Sequence, residues 1–544
     1  MNILAVIPAR GGSKGIPRKN MRLIGGNPLI SYSIKNALQS PHVKDVAVTT
    51  DSEEIISYSQ QFKGVTAITR DDELAKDAVT LDPVVYDALI KMETINGCSY
   101  DAVITLQPTS PLLTPEVLNE AISTFIHSEA DSLISVVNKP HLQWTKNDNN
   151  KIIPAYKKRL NRQQLPPLYL ETGAFLISSR AAITEKTRLG ANVQVFEVPE
   201  DQATDIDTKE DWVVCEAMLA KKRIAFRVDG HRELGLGHIY RALTLSYALT
   251  EHDVVFICNS IHKLGIEKLL SANMSVVSID SNQDLLSWLK NNPVDIFVND
   301  LLDTSSEYVK SVKALVGRFV SFEDMGEGSR EADAVVNAIY EGAKPHSNTY
   351  TGKSFVCLRD EFLAASPSPI RDEVRTILVS FGGTDPLDLT RRLYEIAQKI
   401  TRELNNIHFD FVLGPGYQGD NIKDLPERNI TVSRNVSRMS DHMKKAQLAI
   451  SSQGRTTFEL ASLGIPTLVL AQNKREQLHS FAQMDNGFIN LGLGSEVSNE
   501  DIEASLRWLI GAKTIRNEMR YRMLSNNLKD GIKRVKSIIL GETL

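Results

Sequence analysis

Residues 222–249 read KRIAFRVDGHRELGLGHIYRALTLSYAL. A strand-like run, Ile224–Val228, apolar but for Arg227, leads into a glycine-bearing segment, and Ile239, Leu243, Ser246 and Leu249 then recur at helical spacing. Strand, glycine loop and helix in that order open a parallel α/β unit, whose helix carries the chain back to the start of the next strand. Yet this opening lies in mid-chain. MNILAVIPARGGSKGIPRKN (1–20) has the same order, and RTILVSFGGTDP (375–386) repeats it before the helical LTRRLYEIAQKI. A chain of 544 residues exceeds what one hydrophobic core holds. The reading is α/β throughout, in three bodies: 1–221, 222–373 and 374–544. No Gly/Ser- or Pro-rich linker marks 221/222, so that boundary rests on the restart itself. Residues 138–170, containing NKPHLQWTKNDNNK and KKRLNRQQLPP, have no clean period and read as an insertion or arm.

Composition is that of a soluble globular protein, 42% hydrophobic and 24% charged, with a net charge of −5. That balance argues against coating nucleic acid or binding membranes through a basic surface. No apolar run approaches the roughly 20 residues that span a bilayer. Met1 leads straight into a strand-like run and Pro8, so no signal peptide is expected. Cys98, Cys215, Cys258 and Cys357 are far apart and form no CxxC pair, as expected of reduced thiols in a cytoplasmic protein.

The loop PARGGSKGIPRKN (8–20) combines Gly11, Gly12 and Gly15 with Arg10, Lys14, Arg18 and Lys19. Glycines let backbone N–H groups approach a ligand closely, and cations offset phosphate charge. The spacing is neither GxxxxGK[ST] nor GxGxxG, so the reading is a phosphate site of another kind. Asp205 and Asp207 are one residue apart, which in extended backbone puts both carboxylates on one face, as Mg²⁺ prefers. IPARGGSKGIPRKN (7–20) resembles the opening of the CMP-sialic acid synthetases, the acylneuraminate cytidylyltransferases. VTTDSEEI (48–55), TRDDELAKD (69–77), LQPTSPLLT (106–114), RQQLPPLYLETGAF (162–175) and DIDTKEDW (205–212) are similar to that family's further motifs, in order.

The resemblance implies transfer of CMP from CTP to a sialic-acid-like nine-carbon keto acid, with release of pyrophosphate. It implies that Arg10, Ser13, Lys19 and Asn20 hold the triphosphate and that Arg70 helps bind the nucleotide. Gln107, Thr109 and Ser110 would face sugar or nucleotide, and Asp205 and Asp207 would hold Mg²⁺. Lys19 and Asp207 are the expected catalytic residues of this half. Arg162 and Gln163 would read the sugar acid from an arm that extends across a homodimer, Arg162 as the fork for its carboxylate. Thr172, Phe175 and Leu113 depart from the family pattern near segments associated with the sugar pocket.

In the second half, ISSQGRTTFELASLGIPTLVLAQNKREQLHSFAQMDNG (450–487) resembles the nucleotide-sugar site of glycosyltransferases with two Rossmann-like halves. That likeness implies Glu459 on the ribose, with Gly383, Ser452 and Gly454 near the pyrophosphate. A closer likeness is to the UDP-sugar hydrolase of the pseudaminic acid pathway, the spore-coat polysaccharide protein G type. It rests on Arg227–Ala248, on SFGGTDP and on ISSQGRTTFE. It implies that His238, beside Gly237 at a helix start, is the base that activates water, with Asp229 and Arg241 ordering the motif. Glu476 and Gln477 stand where that family carries Asn-Gln, and Leu301 and Leu302 where it tends to carry an aromatic residue. The expected architecture is a Rossmann-like nucleotidyltransferase domain followed by two Rossmann-like halves of glycosyltransferase B type. The expected function is bifunctional, with CTP, a nine-carbon sugar acid and a UDP-2,4-diacetamido sugar as ligands. The alternatives for the second half are a glycosyltransferase or a non-catalytic nucleotide-sugar-binding module.

Overall fold

The computed structural model describes all residues except 14, 77, 232–233, 341–346, 368–370, 420–421, 435 and 544, so Lys14 of the basic loop lies outside the described residues. The chain divides into two compact units, Met1–Lys221 and Lys222–Leu544.

The first unit is built on a seven-stranded sheet. Ile3–Pro8 runs at its centre, parallel to Val43–Thr50 on one side and Ala102–Leu106 on the other. Val65–Thr69 extends the sheet beyond Val43–Thr50. On the other side Tyr169–Ser179 enters antiparallel between Ala102–Leu106 and Ser132–Asn138, and Val193–Glu197 forms the edge. Ile3 through Ile7 are wholly buried, as a strand covered on both faces requires. The helix Ile30–Gln39 lays Ile30, Ile34 and Ala37 into this core, while Leu38 sits at the rim, 37% exposed. Lys209–Leu219 ends the unit, its first turn fixed by a reciprocal capping box between Thr208 and Asp211. The arm at 138–170 is more ordered than its sequence suggests. It contains an antiparallel hairpin, Trp144–Lys146 with Ile152–Pro154, whose strands are too short to show a period.

The second unit holds two wholly parallel sheets. In one, Arg223–Val228 is central. Asp253–Asn259 and Val276–Ile279 lie to one side, and Val294–Asp300, Val316–Phe322, Ala334–Asn337 and Thr349–Thr351 to the other. In the other, Thr376–Ser380 is central, with His408–Leu413 and Ile430–Arg434 to one side and Leu448–Ser452, Thr467–Ala471 and Phe488–Leu493 to the other. Both are doubly wound α/β sheets of Rossmann order, each reversing direction beside its first strand. Residues 531–540 depart from the expected division at 373/374. The helix Gly531–Leu540 returns to the first of these sheets and packs Val535, Ile538 and Ile539 against Ile224, Val298 and Val336.

Among the described residues no helix is long and apolar enough to cross a membrane. The four cysteines are free, with Cys215 and Cys258 buried. Ile539→Ala removes a wholly buried side chain from the returning helix. It is expected to lower the stability of the second unit by about 2–5 kcal/mol, read from the denaturant midpoint; a loss under about 1 kcal/mol would show the helix to be peripheral.

Candidate functional sites

In all three sheets the first strand lies between its two neighbours, so the flanking connections leave in opposite directions from its C-terminal end. The crevice this opens is where α/β sheets bind ligands, and each one receives a glycine loop. In the first unit the loop is Gly11–Gly15. Gly11 N–H donates to Asp51 Oδ1 at 2.8 Å. A Cβ on Gly11 would meet Ser52 Cβ at 2.9 Å, and one on Gly15 would meet the Asp207 carbonyl at 2.7 Å. Glycine here therefore lets the loop press against two other functional segments. Asn20 is buried and its amide donates to the Arg10 carbonyl at 2.9 Å, closing the loop on itself. Lys19 Nζ donates to the Ile206 carbonyl at 2.6 Å and lies 3.5 Å from Asp207 Oδ1. Ser13 sits half-buried in the loop. Arg70 is buried, with Nη2 donating to the Thr49 carbonyl at 2.7 Å. Burial lowers its pKa, partly offset by Asp51.

Gln107, Thr109, Ser110 and Asp205 gather at the neighbouring strand ends. Gly173 has a φ of +70°, and a Cβ there would lie 2.9 Å from Asp205 Oδ2 and 3.3 Å from Gln107 Nε2. Thr109 is tied to the 205–207 segment, its carbonyl accepting from Ile206 N–H at 2.8 Å. Asp205 Oδ1 and Ser110 Oγ are buried without a hydrogen-bond partner in the protein. Such atoms cost about 1–3 kcal/mol each if nothing meets them, so they point to a ligand. Burial raises the Asp205 pKa, opposed by the Thr109 hydroxyl and reinforced by the neighbouring Asp207 charge, and a cation would offset that rise. Among the described residues no group of three or more His, Cys, Asp and Glu is placed to hold a metal. Two carboxylates with room for phosphate and water oxygens fit Mg²⁺, which seldom takes a full protein cage.

Arg162 and Gln163 are exposed on the turn Arg162–Gln164. Arg162 pairs with Glu200 at 3.4 Å on the surface, so its contacts tie it there and not to the Gln107–Asp205 group. The three departures from the family pattern belong to the packed interior. Leu113 and Phe175 are core residues, and Thr172 is buried with its hydroxyl bonded to Ser135 Oγ at 2.9 Å.

In the second unit a cleft of about 470 Å³ opens where the strand ends of the two sheets meet, and Gly237, His238, Gly383, Ser452, Gly454 and Glu459 all line it. Gln477 is exposed and outside the lining, because the turn Glu476–Leu478 directs Glu476 inward in its place; Asn473 and Arg475 join it. Leu302 also lines the cleft. The helix Gly237–Ala248 carries buried His238 in its first turn. Its Nδ1 lies 2.6 Å from Asp300 Oδ1, at the end of Val294–Asp300. With Nδ1–H donating to that carboxylate, Nε2 is left as the acceptor. Arg241, one turn along, donates Nε to Asp300 Oδ2 at 2.7 Å and pairs with Glu323 at 2.5 Å. Asp300 and Glu323 were not foreseen in the sequence. Asp300 could have been sought as the carboxylate ending a central strand. Asp229 pairs with Arg227 at 2.8 Å and accepts from Asn259 N–H at 2.8 Å, a purely ordering role.

The ribose candidate Glu459 is paired with Arg359 at 2.7 Å, so a ligand there exchanges a partner. Behind it, His479 and Gln453 lock together: His479 Nδ1 meets the Gln453 carbonyl at 2.7 Å, and Gln453 Nε2 donates to the His479 carbonyl at 3.0 Å. Burial pushes His479 down to about 4, keeping it neutral.

Burial raises the Glu476 carboxyl from 4.5 to about 7. A raised carboxyl stabilises the fold fully below its ordinary range and loses that contribution as pH climbs through its folded value. Glu476→Gln keeps an acceptor for Gln472 N–H, which the carboxylate holds at 2.8 Å. Its melting temperature relative to wild type is expected to rise between pH 4.5 and about 7 and level off above; a flat difference would overturn the assignment.

The family model described as Cytidylyltransferase matches residues 4–199. Over 219 residues the chain is 35% identical to the pseudaminic acid cytidylyltransferase of Campylobacter jejuni, covering 39% of this chain and 93% of that protein. Over 233 residues it is 32% identical to the CMP-N,N'-diacetyllegionaminic acid synthase of Legionella pneumophila, covering 40% and 97%. An uncharacterized protein of Methanocaldococcus jannaschii is 30% identical over 278 residues, 47% of this chain, which spans only 57% of that protein's length. Among solved structures, Acinetobacter baumannii MurG is similar at 15% identity and a TM-score of 0.44, over 58% of this chain and 99% of its own. By residues 4–199, the chain belongs to the cytidylyltransferase family.

Proposed function

We propose that the chain performs two steps of nonulosonic acid biosynthesis. The first unit joins CMP to the anomeric hydroxyl of a nine-carbon keto acid of the pseudaminic or legionaminic type and releases pyrophosphate. The named substrates of its relatives support that sugar class. The observation that carries the site is the unsatisfied Asp205 Oδ1 and Ser110 Oγ next to the glycine loop. Phosphoryl transfer needs mainly positioning and charge neutralisation. Arg10, Ser13, Lys19 and Asn20 hold the triphosphate, Arg70 supports the nucleotide, and Gln107, Thr109 and Ser110 face the sugar or the nucleotide. Asp205 and Asp207 would hold Mg²⁺, which would supply charge neutralisation at the phosphates. Exposed Trp144, Ile152 and Tyr169 on the arm support a homodimer through this unit, in which Arg162 and Gln163 reach a partner's substrate. A cytoplasmic setting, where CTP is made, suits the reaction.

The second unit hydrolyses a UDP-linked 2,4-diacetamido sugar. The carrying observation is the buried His238–Asp300 pair lining the cleft. His238 Nε2 takes a proton from water, the water oxygen bonds to the anomeric carbon, and UDP leaves with the electrons of the broken C–O bond. Asp300 holds the ring and its tautomer.

In the full-length protein, Asp207→Ala is expected to abolish pyrophosphate release from CTP in the presence of pseudaminic or legionaminic acid; unchanged release would refute the metal role. His238→Ala is expected to lower UDP release by about 10²–10⁴-fold and leave CMP transfer unchanged. Release that survives overturns the base. UDP binding without release by the wild type makes the unit a binding module, and release that depends on an added acceptor makes it a transferase.

A further inference from the structure

Glu323 is wholly buried and has a left-handed φ of +52°. Its Oε1 is shared by two guanidiniums, Arg241 Nη1 at 2.5 Å and Arg455 Nη2 at 2.6 Å. The two differ in freedom. Arg241 is 2% exposed and is also fixed to Asp300, whereas Arg455 is 20% exposed and its other surroundings are the cleft. Arg455 belongs to the loop between Ser452 and the helix Thr456–Leu463, whose N–H groups suit an anion. It also lies over the start of the His238 helix: a Cβ on Gly237 would come within 3.4 Å of Arg455 Cδ and 3.6 Å of Nε. A continuous run of buried contacts thus joins this loop to His238, through Arg455, Glu323, Arg241 and Asp300.

Charge balance dictates what happens if one member leaves. Two carboxylates, Glu323 and Asp300, face two guanidiniums, and a buried charge left unpaired is strongly unfavourable. A diphosphate seated on the Ser452–Thr456 loop competes for Arg455. Once Arg455 turns to the phosphate, the interior holds one negative charge too many.

We propose that Arg455 senses the diphosphate of a bound nucleotide, and that Glu323 answers its departure by taking one proton from solvent, which leaves Arg241 committed to Asp300 and His238 held in place. The proposal rests on the reading of the cleft given above as the seat of a nucleotide diphosphate. Besides the two arginines, Glu323 faces Asp300, Arg475, Tyr340 and Cys357. Arg475 is occupied by Asp303 at 2.6 Å, and burial raises both the Tyr340 phenol and the Cys357 thiol, the latter to about 12, so neither ionises near neutrality. Burial, opposed by Arg241, holds the Glu323 carboxyl at about 7, within reach of the proposed proton.

The test is calorimetric titration of the full-length protein with UDP near neutral pH, in two buffers of different ionisation enthalpy, which yields the protons exchanged on binding. Wild type is expected to take up about half to one proton more than Glu323→Gln, the excess growing as pH rises above about 7. Comparison with the variant cancels the titration of UDP itself. Uridine, which lacks phosphate, should give no excess. Arg455→Gln, which leaves the Arg241–Asp300 core untouched, should also abolish the excess with UDP, so the proposal stays testable if Glu323→Gln does not fold. UDP binding with equal proton uptake in wild type and Arg455→Gln overturns the sensor and leaves the nucleotide reading intact. No UDP binding by the wild type overturns that reading and the sensor with it.

Discussion

A parallel sheet that reverses its winding beside its first strand leaves that strand's C-terminal end without a covering helix. The exposed edge is polar backbone in an otherwise apolar layer, and it occurs three times in this chain, after Pro8, Val228 and Ser380. Glycine follows each strand because the loop must fold tightly over neighbouring strand ends. Gly414 shows how tight the approach is: a Cβ there would lie 2.2 Å from the Gly382 carbonyl. The candidate sites of both units collect at these three edges, where side chains from several strands converge.

The two units handle charge differently. In the first, carboxylate and hydroxyl oxygens are buried and left unsatisfied, with Lys19 at hand. A ligand there fills unmet hydrogen-bonding capacity. In the second, Arg241, Arg359, Arg455 and Arg475 each already hold a carboxylate. A ligand that engages one of these guanidiniums exchanges an existing partner. That distinction follows from burial: a dry guanidinium is stable only when matched.

Much of this was legible in the chain. Ile3–Ile7 and Ile377–Val379 are apolar without interruption because both faces of a central strand are covered, and Ile224–Val228 is broken only by Arg227, which is buried against Asp229. The stripe Ile239, Leu243, Ser246 and Leu249 is buried, as its helical spacing predicts. That the Gly11–Gly15 loop follows a strand and that His238 sits at a helix start was readable because local spacing and a motif coincide. What escaped was long-range. Asp300 and Glu323 lie 62 and 85 positions from His238, being residues 300 and 323 against 238, and nothing local marks either as a partner. Gln477 was displaced by the pitch of a three-residue turn that periodicity cannot resolve. Thr172 and Leu113, read as pocket departures, answer to packing within the core.

The returning helix Gly531–Leu540 bears on how the second unit comes into being. The helix Gly237–Ala248 covers part of one face of the sheet begun at Arg223, and the rest of that core is completed only by residues near 539, although the strands are complete by Thr351. In chain order, the partners that complete the core around Ile224, Val298 and Val336 follow an entire second sheet. The first unit closes within its own 221 residues and can fold before that core is complete. Joining the two in one chain therefore places an early-folding body ahead of one whose completion is governed by its last helix.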